Sequence, residues 1–177
     1  MEVPRADRNN FVGNSRYPIY LQNSLIEKVL QNTGSDNGFN WIYLTQSQLD
    51  GSSIIDGKNS LPFYVFDALR LRSGQTTDVY GGTVFKFGNN ARFDVDGTFN
   101  ALATPTDPVY FTSIKDDSIG GDTNSDGSVT TPSRGDWNGI SFNYGSDNSV
   151  IKNAEIEYGG GAGANIITGE CSLEKPG

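Results

Sequence analysis

The chain has 177 residues and a mass of 19.1 kDa, the size of one domain that can bury a core without disulfides. Its net charge of −8 excludes partners held by a phosphate backbone or an anionic membrane surface, so no nucleic acid is expected. It has no histidine, which removes the commonest general base and zinc ligand, and its 22 glycines point to short strands joined by tight turns.

In chain order, residues 1–16 read as a polar loop around a Phe11-Val12 rung, and Tyr17–Leu21 is the first clear strand. Ser24–Gln31 places Leu25, Ile26, Val29 and Leu30 on one side and predicts a helix of about two turns. After a turn cluster at 32–40, Trp41–Leu44 begins another strand. Beyond Asp56-Gly57 come short rungs at Phe63–Phe66, Leu69–Leu71, Thr83–Phe87, Arg92–Val95 and Thr98-Phe99, separated by Gly, Asn and Asp turns. Within them apolar and polar residues alternate, as in Val84-Phe85-Lys86-Phe87, which predicts an apolar inner face with the polar partners in solvent.

Trp41, Tyr64, Phe85 and Tyr110 follow one another at intervals of 23, 21 and 25 residues, the period of a solenoid whose coils stack. A β-sandwich is the alternative for such short strands. The next interval, Tyr110 to Ile140, is 30 residues, and its excess falls on an acidic loop at 114–136.

That loop has the chemistry of a calcium site. Asp122, Asn124 and Asp126 occupy positions 1, 3 and 5 of a D-x-N-x-D-G run, Gly127 supplies the bend at position 6, and Ser128 can offer its carbonyl. These hard oxygen donors suit Ca²⁺ and not zinc. Position 12, a bidentate Glu in a full EF-hand loop, is Ser133, so the cage is completed from elsewhere, with Asp116, Asp117 and Asp136 as candidates. Trp137 is expected to anchor the loop on a neighbouring coil. Tyr80, Tyr110, Tyr144 and Tyr158 are candidates to line a face, and the lone Cys171 forms no intrachain disulfide.

Gly82-Thr-Val-Phe-Lys-Phe87, Val95-Asp-Gly-Thr98, Pro108-Val-Tyr-Phe-Thr-Ser113, Gly120-Gly-Asp-Thr-Asn-Ser-Asp-Gly127, Gly135-Asp-Trp-Asn-Gly-Ile140 and Glu157-Tyr-Gly-Gly160 together resemble the right-handed parallel β-helix repeat proteins of large bacterial secreted and cell-surface polypeptides. The resemblance implies one all-β solenoid domain over 1–177, with weakly matching coils at 1–61, clear coils at 62–160 and an irregular end at 161–177. Ala164–Thr168 is expected to add one more rung, with no cap after it, so that the chain is a fragment flanked by other modules. The implied location is extracellular or at the cell surface, although no export signal or membrane span stands in these residues. The implied role is a calcium-stabilised structural or adhesive module with a polysaccharide or cell-surface glycan as partner. The alternative is a polysaccharide lyase or glycoside hydrolase, with Arg134 or Lys86 as base.

Overall fold

The computed structural model describes residues 5–49 and 53–168. Among the described residues the chain forms seventeen short strands: β1 (Asn10–Val12), β2 (Ile19–Gln22), β3 (Thr33–Ser35), β4 (Ile42–Thr45), β5 (Ser47–Leu49), β6 (Ser53–Ile55), β7 (Phe63–Val65), β8 (Ala68–Leu71), β9 (Thr76–Tyr80), β10 (Val84–Phe87), β11 (Arg92–Val95), β12 (Thr98–Leu102), β13 (Val109–Ser113), β14 (Ile140–Phe142), β15 (Val150–Lys152), β16 (Ala154–Ile156) and β17 (Ile166–Thr168). From β4 onward each strand pairs in parallel with the third strand after it, giving sheets in the order β2-β4-β7-β10-β13-β16, β5-β8-β11-β14-β17 and β6-β9-β12-β15, with β1-β3 as a separate pair. One strand per coil in each sheet makes a parallel β-solenoid of about six turns. A sandwich is thereby ruled out, since its sheets are antiparallel.

Parallel stacking puts like residues above one another, and the core consists of such columns. Ile19, Ile42, Phe63, Phe85, Phe111 and Ile156 stand in one inward column of the six-stranded sheet. The Phe63, Phe85 and Phe111 rings stack at 5.5 and 5.4 Å. All three are fully buried, and each contributes roughly 1.5–3 kcal/mol by leaving water. The predicted period holds, but its register is shifted: Tyr64 stands beside Tyr43 and not Trp41, and Phe85 beside Phe63.

Two expectations are corrected, and three strands were not foreseen. The apolar run at 24–31 forms a single 3-10 turn, Ile26–Lys28, because Leu25 is extended and bridged to Gln48 at a coil corner while Ile26 and Val29 turn into the core. The outward polar residues Lys86 and Asp94 are buried and not solvated: Asp94 lies between Arg70 and Arg92 at 3.3 and 3.0 Å, and Lys86 lies under the acidic insert. Strands β5, β6 and β9 escape an apolar-alternation reading because a hydroxyl residue takes one of the two inward positions in each, beside Leu49, Ile55 or Val79, as where Ser53 and Thr77 hydrogen-bond across coils at 3.0 Å. The expected rung at 164–168 is present as β17, paired with β14, whereas Cys171 lies outside the described residues.

Candidate metal centre

In the preceding coils, from β4 to β5, β7 to β8 and β10 to β11, the chain passes from the six-stranded to the five-stranded sheet in one to four residues. Between β13 and β14 it makes a long excursion, 114–139, that folds back over the outer face of the six-stranded sheet. Its two ends are clamped by buried carboxylates. Asp116 accepts hydrogen bonds from the Thr112 hydroxyl at 2.7 Å and from the Ser118 N–H and hydroxyl at 3.0 and 2.6 Å. Asp136 accepts from the Ser113 hydroxyl and the Lys115 ammonium, both at 2.7 Å, and from the Ser133 N–H at 3.0 Å. Burial pushes the Asp136 carboxyl up, but Lys115, Ser133 and Ser113 outweigh it and hold the group below its ordinary value.

Trp137 then enters the core. In the column where Leu44, Val65 and Phe87 precede it, β13 offers only Ser113, and the Trp137 ring lies flat on Phe87 at 4.2 Å. Its indole N–H donates to the Glu157 carbonyl at 2.8 Å. The insert thus supplies the large side chain that its own coil lacks.

The other end of the insert is held from below. Lys86 points outward from β10 and is fully buried, its ammonium donating at 2.8 Å to the Asp116 carbonyl, the Gly121 carbonyl and the Thr123 hydroxyl. Burial pulls this ammonium down to about 8, against the opposing pull of Asp116, Asp117 and Asp122. Enclosed in this way, Lys86 faces no substrate in solution. Gly120 sits so closely on the sheet that a Cβ there would lie 2.9 Å from the Pro62 ring.

Above Lys86 the D-x-N-x-D-G run closes a tight loop. Asp122 accepts from the Asp126 and Gly127 N–H groups at 3.2 and 2.9 Å, and Gly127 takes a φ of +62°. Asp126 accepts from the Val129 and Thr130 N–H groups, both at 3.0 Å, and from the Thr130 hydroxyl, which holds its carboxyl below the ordinary value. Ser128 donates its hydroxyl to Asp117 at 2.9 Å.

This folding brings carboxylate oxygens of Asp117, Asp122 and Asp126 within 4.8 Å of one another. Two further observations bear on a cation. Asp117 Oδ1 and Asn124 Oδ1 are buried and accept no hydrogen bond, although a buried acceptor left unmade costs about 1–3 kcal/mol. Moreover, the insert's Lys115 is committed to Asp136, and the ammonium whose charge reaches Asp117 and Asp122, that of Lys86, is already bonded to two carbonyls and a hydroxyl. Carboxylate and amide oxygens with spare lone pairs fit Ca²⁺, which takes six to eight oxygen ligands, and do not fit a soft or nitrogen-preferring metal.

No protein-family model, curated protein or solved structure matches the chain. The site is read from its own geometry. Of the seven candidate ligands, Asp117, Asp122 and Asp126 share the cluster, with Asn124 tied to Asp126 by its amide at 3.0 Å and Ser128 adjoining through Asp117. Asp116 and Asp136 are occupied as clamps at the ends of the insert. Of the four tyrosines singled out, Tyr144 is 87% exposed on the turn before β15, while Tyr80 ends β9 and Tyr110 lies in β13, in different sheets. A different aromatic set shares a face, and its signal was available: Tyr20, Tyr43 and Tyr64 recur at one phase of the coil.

Proposed function

We propose that this chain is a calcium-braced β-solenoid module of an exported surface polypeptide, with a structural or adhesive role. The observation that carries the reading is the cluster of Asp117, Asp122 and Asp126 with the unpartnered oxygens of Asp117 and Asn124 beside it. A cation there ties the start of the insert to its middle and offsets the repulsion among three acids. Cages of this kind in extracellular modules bind Ca²⁺ at about 10⁻⁴–10⁻³ M, a range filled outside cells and not in the cytosol.

The test is a thermal melt in chelator and in millimolar Ca²⁺. At about ten times a Kd of about 10⁻⁴ M, which millimolar Ca²⁺ reaches, the ion adds about 1.4 kcal/mol. For a chain of this size that raises the midpoint by roughly 3–6 °C. The D117N/D122N double variant should lose the rise, and a melt indifferent to Ca²⁺ in the unaltered protein defeats the proposal.

A further inference from the structure

We propose that the cleft between the return limb of the insert and the coil that follows β16 binds short peptides with free ends, the ammonium on Glu157 and the carboxylate on Arg134. The site shares no residue with the three-acid cluster and does not need the metal.

The cleft has a volume of about 580 Å³ and is lined by Arg134 of the insert and by Glu157, Tyr158, Gly160, Gly163 and Asn165. The two segments that form it are fastened to each other. The Gly135 and Asp136 N–H groups donate to the Gly159 and Tyr158 carbonyls, both at 3.0 Å, and the Gly161 N–H donates to the Trp137 carbonyl at 2.9 Å. A Cβ on Gly159 would lie 2.6 Å from Asn165 Oδ1 and 3.0 Å from the Trp137 ring, so limb and coil come this close only on a glycine. Tyr158 lines the cleft at a φ of +58°, a conformation that bulky residues rarely adopt and that gathers at functional sites.

Two opposite charges in this cleft are left over. Neither the Arg134 guanidinium nor the Glu157 carboxylate has a hydrogen-bond or ion-pair partner among the described residues, although both line the same space. Glu157 is set among like charges: burial pushes its carboxyl up, Asp116 and Glu155 add to the shift, and Arg134 is not among the charges that act on it. A metal is not indicated there, since among the described residues three acids gather only at Asp117, Asp122 and Asp126. An ammonium, by contrast, is served by one carboxylate, and the fork of Arg134 takes a carboxylate through two parallel hydrogen bonds. A neutral sugar would leave both charges unpaired, and an anion would leave Glu157. A free amino acid carries its two charges on one carbon, too close together for two side chains that do not reach each other. A peptide of about two to four residues separates them by roughly 7–14 Å when extended. The volume is in the range of sites for ligands of that size.

Titration with trialanine, followed through the backbone amide NMR shifts, tests this. Binding is expected with a Kd on the order of 1 mM, in Ca²⁺ and in chelator alike, with shifts centred on 133–135 and 157–165. Acetylating the amino end of the peptide should weaken binding about 3–10-fold, and amidating its carboxyl end should do the same. Glu157→Gln should cost as much as acetylation and remove any further effect of it, and Arg134→Met should stand in the same relation to amidation. Both side chains lack partners, so the melts of the two variants should match that of the unaltered protein. No shifts with trialanine, shifts centred elsewhere, or equal binding of the free, acetylated and amidated peptides overturns the proposal. So does a variant in which the matching end group still matters. Loss of binding in chelator with the fold intact also overturns it, by placing the peptide carboxylate on the acidic loop, whereas a melt indifferent to Ca²⁺ leaves this site untouched.

Discussion

The outward row Tyr20, Tyr43, Tyr64, Lys86 and Thr112 crosses one continuous sheet, yet its two ends meet different surroundings. At the N-terminal end Tyr20 is 47% exposed, and the rings stack on each other in water; at the C-terminal end Lys86 and Thr112 are 0% exposed beneath residues of the insert. The strands are the same kind of strand in both halves. What differs is a single corner, between β13 and β14, where the chain leaves the coil and returns with Trp137. A solenoid lets such an excursion occur without disturbing the stack, because each coil contacts only its neighbours. One half of the face is thereby spent on holding a loop, and the other is left open to solvent.

Three substitutions break or sharpen this contrast. The largest effect is expected from Trp137→Ala, which empties a fully buried site stacked on Phe87 and should cost about 3–5 kcal/mol, read as a fall in the denaturation midpoint with faster proteolysis within 114–139. Lys86→Met keeps the bulk of the latch but leaves the Asp116 and Gly121 carbonyls and the Thr123 hydroxyl without their donor. A loss of about 3 kcal/mol is expected, with the calcium response weakened as well. Tyr20→Ala, at the other end of the row, removes a half-exposed ring packed on Tyr17 and Tyr43 and should cost no more than about 1 kcal/mol, so equal losses at the two positions would erase the distinction between the halves.

The smallest effect concerns Asp136, whose folded carboxyl lies below its unfolded value of 3.8. Its stabilisation is therefore fully present above that value and is lost as the pH falls through the folded one. Asp136→Asn should cost about 1–2 kcal/mol at neutral pH. Acid titrations of stability should also be flatter in the variant below about pH 4. Parallel acid curves for the two proteins would show that the clamp contributes nothing.

Much of the fold was legible because the strands that built the period carry large apolar residues at inward positions, as Phe63, Phe85 and Phe111 do. Strands with a hydroxyl at one inward position, as at Ser47, Ser53 and Thr77, left no such mark, since its burial is satisfied by hydrogen bonds between coils. The helical pattern at 24–31 was the period of a bent corner, where neighbouring apolar residues can turn inward together.

By itself the sequence determined the parallel solenoid, through its repeat, and the loop of oxygen donors, through the spacing of Asp122, Asn124 and Asp126. Only the tertiary structure decided which acids stand together. Asp116 and Asp117 are neighbours in the chain, yet one is held on Thr112 and Ser118 as a clamp and the other joins the cluster, because the chain turns through 114–120 between them and the loop. The same holds for Lys86. Its alternation marked it as solvent-facing, and a segment thirty residues further along the chain made it the buried post on which the loop stands.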